Sequence, residues 1–153
     1  MAERRKERVL FVCRSNSARS QMAEALLRAL YDDRYEVLSA GTEPSRVINP
    51  YAIMVMAEID IDISAHRSQS VDDFEAMNFD YVVTLSDHAK ETCPLFPGHD
   101  IYLHHHFEDP TDFHGKEEEL LVGFRRVRNK IRDWIEKTFG EETEIAVDKL
   151  RGV

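Results

Sequence analysis

A cysteine and an arginine with five residues between them give the strongest chemical signal in this chain. Cys13 ends the apolar run 9–13, and Arg19 stands where a helix-forming sequence begins. An apolar run this short is typical of a buried strand, so the loop between the two residues joins a strand to a helix. Backbone N–H groups of such a loop and of the first helical turn can bind an anion, which the helix dipole also favours. The spacing therefore predicts an oxyanion-binding loop with a thiol at its start.

The residue types in this loop suit nucleophilic attack on a tetrahedral oxyanion. The Arg19 guanidinium can grip two oxygens at once, and a cysteine beside cations at a helix N-terminus loses its proton easily. Ser20 is placed to hydrogen-bond the thiolate, and Asn16 belongs to the residue types that tolerate a left-handed backbone. We predict Cys13 as the nucleophile. The predicted oxyanion-binding residues are Arg14, Ser15, Asn16, Ser17, Ala18, Arg19 and Ser20.

Length and composition predict a single globular domain. The chain has 153 residues, and we expect a core over about 8–139 followed by a charged tail, 140–153. A net charge of -9 argues against nucleic acid or an anionic membrane as a partner. We see no apolar stretch of membrane-spanning length and no export signal. Two cysteines in such a chain favour a reducing, cytoplasmic location with thiols that serve chemistry.

Strands alternate with helices along the sequence. Predicted strands lie at 9–13, 35–41, 79–85 and 101–107, and predicted helices at 19–31, 50–59, 70–74, 88–92 and 117–139. This alternation indicates an α/β fold, a single three-layer domain in which helices cover both faces of a four-stranded parallel sheet. Ligands of such sheets bind at the carboxyl ends of the strands. The loops that carry Cys13 and Asp109 both lie at that edge, as does the loop after Leu85.

Short motifs from Val9 to Ile135 identify a family by resemblance. After the Cys-five-Arg-Ser loop come Arg-Ser-Gln-Met-Ala-Glu-Ala (19–25), Ser-Ala-Gly-Thr-Glu (39–43), Ile-Asp-Ile-Ser (61–64), Cys-Pro (93–94) and Glu-Asp-Pro (108–110). The loop resembles that of the low-molecular-weight protein tyrosine phosphatase superfamily, and the other motifs resemble its thioredoxin-coupled arsenate reductase branch. The resemblance implies that Cys13 attacks the arsenic of arsenate, or the phosphorus of a phosphate ester, while Asp109 protonates the leaving oxygen. It implies no cofactor.

One departure from the family pattern concerns the resolving thiols. Thioredoxin-coupled arsenate reductases carry a second cysteine after the third strand, and Ser86 stands there in this chain, whereas the third cysteine is present as Cys93. Serine cannot take part in thiol–disulfide exchange. We therefore expect an external reductant, which is thioredoxin, glutaredoxin or a low-molecular-weight thiol, or a direct reaction of Cys93 with Cys13. Cys93 also fits a plain packing role, because free cysteine often behaves as a small buried hydrophobe.

No metal site is predicted. The three histidines at 104–106 alternate in direction along a strand, so they cannot converge on one ion. Asn16, Glu24 and Ser39 match three potassium ligands of some arsenate reductases, but Gln69 stands at the fourth position, which is usually aspartate.

Three functions compete on this evidence. Arsenate reduction is favoured, because Thr111, Asp112, Phe113 and His114 stand where phosphatases of this fold carry tyrosines after Asp-Pro. Phe113 can still serve as an aromatic wall for an aryl substrate, so phosphotyrosine or small phosphate ester hydrolysis is the alternative. A non-catalytic oxyanion-binding module is the third, and the presence of Cys13, Arg19 and Asp109 counts against it.

Overall fold

Four parallel strands form one sheet with the order β2-β1-β3-β4 in a computed structural model that describes residues 5–96 and 101–140. The strands are β1 (Glu7–Cys13), β2 (Tyr35–Gly41), β3 (Tyr81–Thr84) and β4 (Ile101–His104). The helices are α1 (Arg19–Tyr31), α2 (Pro50–Ala57), α3 (Asp87–Thr92) and α4 (Glu117–Phe139), with 3₁₀ turns at Val71–Phe74 and Pro110–Asp112. The predicted α/β class, with its all-parallel sheet, is confirmed.

The central strand β1 separates two apolar clusters. Val9, Phe11 and Cys13 pack in the larger cluster, which α1 and α4 complete. Leu10 and Val12 point to the opposite face, where the first 3₁₀ turn and α3 cover them. Burial on both faces explains why this strand is continuously apolar, and it fixes Cys13 at the end of the most rigid element of the sheet.

The longest helix, α4, fastens α2 to the rest of the domain through a charged cluster. Arg128 is buried and donates to the Val55 carbonyl at 2.7 Å and to Glu58 at 2.9 Å, and Arg125 also donates to Glu58. Hydrogen bonds from Arg125 and Arg128 lower the pKa of Glu58 to about 2, although partial burial acts in the opposite direction. Among the described helices, none is long and apolar enough to cross a membrane.

Two strands are shorter than the sequence predicts. β3 ends at Thr84 instead of residue 85, because Leu85 donates to the Val12 carbonyl at 2.8 Å and Ser86 then caps α3. β4 ends at His104 instead of residue 107, and the chain beyond it turns across the sheet edge, where the buried Phe107 donates to the Leu85 carbonyl at 2.9 Å.

The helices follow the prediction more closely. α1 and α4 have the predicted bounds, whereas α2 ends at Ala57 instead of residue 59, and the Asp109 loop contains an unpredicted 3₁₀ turn. α2 begins where the sequence indicates, because the Asn49 side chain accepts from Tyr51 N and Pro50 occupies the first turn. Most of the predicted charged tail, beyond residue 140, lies outside the described residues.

Candidate active site

The loop after Cys13 turns its carbonyl groups outward and its N–H groups inward. The carbonyls of residues 13–17 accept hydrogen bonds from Thr42 N, Glu43 N, Ser45 N, Gln21 Nε2 and Asn49 N, at 2.8–3.3 Å. Within the described ranges, no backbone N–H of residues 14–18 donates to another group of the protein. Ala18 is the N-cap of α1, so the free N–H groups of its first turn continue the same concave surface. The loop is therefore a cradle of unpaired N–H donors, the kind of backbone that binds anions.

Asn16 holds this curvature with both its backbone and its side chain. Its φ is 51°, in the left-handed region. Its side-chain oxygen accepts from Gln21 Nε2 at 3.0 Å and from Gln69 N at 2.8 Å. Ser15 and Ser17 are linked by their hydroxyl groups at 3.1 Å. These contacts fix the loop before any ligand arrives.

Gly41, at the end of β2, leaves room for the loop. A Cβ at this position would lie 2.7 Å from the Arg14 carbonyl oxygen and 3.0 Å from Asn16 N. We expect Gly41→Ala to displace the loop, to lower the free energy of unfolding by about 1–3 kcal/mol, and to weaken phosphate binding. Denaturant unfolding and calorimetric titration with phosphate check both effects. Unchanged phosphate affinity in the folded variant would contradict the assignment of this loop as the anion site.

Arg19 joins the loop to the segment that carries Asp109. Its buried guanidinium donates to the Phe107 carbonyl at 3.0 Å and to Asp109 Oδ2 at 3.2 Å. The other oxygen of Asp109 accepts from the backbone N–H and the hydroxyl of Thr111, at 3.0 and 2.7 Å. Guanidinium has five N–H donors, so Arg19 retains donors for an anion. The geometry places a carboxyl group and a cation together at the loop, although they are 90 residues apart in sequence.

The Cys13 thiol is buried and has one hydrogen-bonding neighbour, Ser20 Oγ at 2.9 Å. Asn16 Nδ2 donates to that same Ser20 oxygen at 2.6 Å and to Ser39 Oγ at 3.0 Å, and Ser39 donates to Glu24 Oε1 at 2.6 Å. Because the carboxylate can only accept, the Ser39 hydrogen points to Glu24, and the two hydrogens of the Asn16 amide point to the oxygens of Ser39 and Ser20. Ser20 is thus an acceptor for Asn16, and its own hydrogen is free for the sulfur. A hydrogen bond to the thiolate stabilises its charged form.

Glu24 is the charged end of this chain of hydrogen bonds. Arg28 lies 2.8 Å from its second carboxylate oxygen, and His66 Nδ1 lies 3.7 Å from the same oxygen. His66 also contacts Gln21 Oε1 at 3.0 Å. The carboxylate that ends the chain is thus neutralised by the protein's own cation.

A second charged cluster stands at the rim of the loop. Arg14 Nε donates to Glu43 Oε2 at 2.8 Å, and His88 Nε2 lies 3.0 Å from the same oxygen. Glu43 N also donates to the Arg14 carbonyl at 2.8 Å. Residues that follow β1, β2 and β3 therefore meet at one carboxylate oxygen, and one of them, Arg14, is the residue after Cys13.

The remaining cysteine lies away from the loop. Cys93 follows the last residue of α3 and packs against the cluster on the opposite face of the sheet from Cys13. It borders an open cavity of about 340 Å³ with Lys90, Tyr102 and His104. Burial raises the pKa of the Cys93 thiol to about 11, so it is a weak nucleophile where it stands. At the other end of α3, Ser86 is buried and accepts from Ala89 N at 3.1 Å as the helix N-cap.

Phe113 is fixed against α4. A Cβ on Gly123 would lie 2.4 Å from the Phe113 ring, and the Arg126 guanidinium lies 5.3 Å above the ring. The ring therefore fills the space that a glycine leaves on the helix surface, between that surface and a cation.

Comparisons with known proteins assign this arrangement to a family. The model of the family described as low molecular weight phosphotyrosine protein phosphatase matches residues 8–149. The chain belongs to this family. An arsenate reductase of Oceanobacillus iheyensis is 42% identical over 139 residues, which cover 91% of this chain and 99% of that protein.

Two solved structures show the same fold for both kinds of family member. An arsenate reductase in its oxidized state is similar with a TM-score of 0.73 and 34% identity, covering 86% of this chain and 95% of that one. The low molecular weight protein tyrosine phosphatase of T. tengcongensis has a TM-score of 0.68 and 25% identity, covering 86% and 97%. Arsenate reductases and tyrosine phosphatases thus share this fold, so the choice between the two activities depends on the residues of the site.

The histidines at 104–106 contact different partners at the end of β4. Asp87 approaches His104 Nε2 at 2.9 Å and His106 Nδ1 at 3.7 Å, whereas His105 stacks on Phe107 with ring centroids 4.4 Å apart. His104 lowers the pKa of Asp87 through a hydrogen bond. The described part of the chain contains no group of three or more His, Cys, Asp or Glu side chains that could hold a metal ion.

Sequence reasoning did not single out several residues that the fold brings to this site. They are Gln21, Glu43, His66 and His88. Glu43 and His88 follow the carboxyl ends of β2 and β3, so the rule that ligands bind at this edge could have found them. Gln21 entered the prediction only as a member of the motif at 19–25, although its partner Asn16 is five residues away. His66 gave no signal, because its partner Gln21 is distant in sequence.

Proposed function

We propose that this protein is an arsenate reductase in which Cys13 forms the adduct with arsenate and an external thiol completes the reaction. The observation that carries the choice of arsenate is Phe113, whose ring is packed between Gly123 and Arg126. Contacts with α4 and Arg126 engage part of this half-buried ring, which leaves less of it to stack on an aryl phosphate. The donor cradle and Arg19 need only a small tetrahedral anion, which arsenate is.

The first step joins sulfur to arsenic. The Cys13 thiolate attacks arsenate held by the loop N–H groups and by Arg19, and one arsenate oxygen leaves as water after Asp109 gives it a proton. Asp109 Oδ2 lies 3.2 Å from Arg19, on the same side of the loop, so acid and anion-binding cation approach the substrate together. Ser20 supports the attack by stabilising the thiolate.

The second step reduces arsenic. A thiolate attacks the Cys13 sulfur, and the electron pair of the sulfur–arsenic bond goes to arsenic, which departs as arsenite. Cys13 is left in a disulfide that a further thiol reduces. An external thiol is the better candidate for this attack, because Ser86 cannot perform it and Cys93 packs on the opposite face with a raised pKa. Thioredoxin, glutaredoxin and a low-molecular-weight thiol are the candidate reductants.

The test is an assay of the purified protein with arsenate and each thiol system separately, run beside an aryl phosphate assay. Arsenate-dependent oxidation of one thiol system, with arsenite as product, is expected. Cys93→Ala measures whether that thiol belongs to the cycle. Efficient hydrolysis of aryl phosphate without arsenate reduction would replace this proposal with the phosphatase function.

Ser86→Cys is expected to raise thioredoxin-dependent arsenate turnover, because it supplies a thiol at the end of β3 between Cys13 and Cys93. Loss of the serine cap on α3 should cost about 1 kcal/mol of stability. Aryl phosphatase activity, which needs no second thiol, should hardly change. Ser64→Cys, which adds a thiol at an exposed position, is the matched control and should have no effect. Equal turnover of the two variants would show that an extra thiol at position 86 has no special access to the adduct.

A further inference from the structure

We propose that His88 is the base that deprotonates the external thiol as it attacks the Cys13 adduct. This assignment rests on the proposed arsenate reduction, and it names the group that activates the incoming thiol. Only the thiolate form is nucleophilic, and an alkyl thiol with a pKa of about 9–10 is ionised to only about 0.1–1% at pH 7. A base at the rim of the loop can therefore raise the rate of the thiol attack by a large factor.

The position of His88 follows from the sheet. It lies in the first turn of α3, directly after β3, and β3 pairs with β1 up to Val12 and Thr84. Glu43 connects it to the loop, because the backbone N–H of Glu43 donates to the Arg14 carbonyl at 2.8 Å and its carboxylate lies 3.0 Å from His88 Nε2. Glu43 thus links the imidazole to the backbone of Arg14, the residue that follows Cys13.

The two ring nitrogens of His88 differ in their surroundings. Nε2 is buried beside Glu43, in a contact that has the distance of a hydrogen bond but not its alignment. Nδ1 makes no hydrogen bond to any described residue and is not among the buried polar atoms, and the side chain is 39% exposed. An incoming thiol can therefore reach Nδ1 from solvent.

Two charged side chains, Glu43 and Arg14, lie beside the ring. Imidazole exchanges protons readily near neutral pH. When it takes a proton, the Glu43 carboxylate stabilises the imidazolium, and Arg14, at 2.8 Å from the same oxygen, keeps that carboxylate in place.

The step balances without any further reactant. The thiol proton passes to His88 Nδ1, the thiol sulfur forms a bond to Cys13 Sγ, and the sulfur–arsenic bond breaks with its electron pair on arsenic. Arsenic changes from the pentavalent to the trivalent state, the two sulfurs become a disulfide, and the proton on His88 returns to an oxygen of the departing arsenite.

The experiment compares the arsenate-dependent turnover of His88→Ala with that of the parent, using monothiols of different pKa as reductants. For alkyl thiols with a pKa of about 9–10 we expect a loss of about 10²-fold or more in kcat/KM for the thiol. For an aryl thiol that is already ionised at neutral pH, the loss should be less than about threefold, because no proton has to be removed. Glu43→Gln should give a smaller loss with the same trend. His114→Ala, at another exposed histidine, should match the parent with every thiol.

A second measurement separates this assignment from the proposed function. In a Cys93→Ala background, Cys13 is converted to its mixed disulfide with thionitrobenzoate, and each monothiol then releases the coloured thiolate without arsenate. The same dependence of the His88→Ala loss on thiol pKa is expected. If it appears in a protein that does not reduce arsenate, the proposed function fails and the role of His88 stands. An equal loss with all thiols, or none with any, overturns the role of His88.

Discussion

Cys13→Ser is expected to abolish both arsenate reduction and phosphate ester hydrolysis while the protein still binds phosphate. The variant loses the nucleophile, so turnover should fall by on the order of 10⁴-fold or more. The variant leaves unchanged the proposed anion donors, which are the backbone N–H groups of residues 14–18 and the Arg19 guanidinium. Steady-state assays and calorimetric titration with phosphate measure the two properties separately.

The matched change Cys93→Ser removes a thiol from the opposite face of the sheet. It should leave formation of the Cys13 adduct intact, as mass spectrometry of the protein with arsenate can show. Turnover that survives in Cys13→Ser, or an adduct found on Cys93, would remove Cys13 from the reaction. Loss of phosphate binding in a folded Cys13→Ser would show instead that the sulfur itself organises the loop.

The main features of the fold could be predicted because local signals agree with one another. The apolar run that ends at Cys13 is buried on both faces, as a central parallel strand must be, and α1 and α4 have strong helical periodicity and clear ends. The sequence predicts β3 and β4 longer than they are, and the reason is the same for both strands. Leu85 and Phe107 are buried like strand residues, but each bonds across the sheet edge after its strand has ended.

The site divides in a similar way into local and long-range parts. The Cys13–Arg19 loop could be predicted because one continuous segment holds all of its donors. The rim cluster of Arg14, Glu43 and His88 could not, because it depends on three strand ends meeting at one oxygen. Nor could the sequence foresee that Phe113 would pack on α4, since that depends on the space left at Gly123. Contacts between residues that are distant in the chain depend on the tertiary structure, and the hydrophobic periodicity of a sequence carries no information about them.

Asp109→Asn is expected to slow the formation of the Cys13 adduct by about 10²–10⁴-fold, because it removes the acid that protonates the leaving oxygen. The change is nearly isosteric. An amide oxygen can still accept the two hydrogen bonds from Thr111, so the turn should keep its shape, whereas the amide NH2 that then faces Arg19 cannot accept its hydrogen bond. Rapid mixing with arsenate, followed by mass spectrometry of the adduct, measures the rate.

The control is Asp112→Asn, an exposed carboxylate in the same 3₁₀ turn, which should behave like the parent. A series of phosphate esters adds a second criterion. An alkyl phosphate, whose leaving group needs a proton, should lose much more rate in Asp109→Asn than an aryl phosphate with an acidic phenol. An equal loss for both esters would mean that Asp109 serves by positioning Arg19 at 3.2 Å, and an unchanged rate with the alkyl ester would assign the acid to another group.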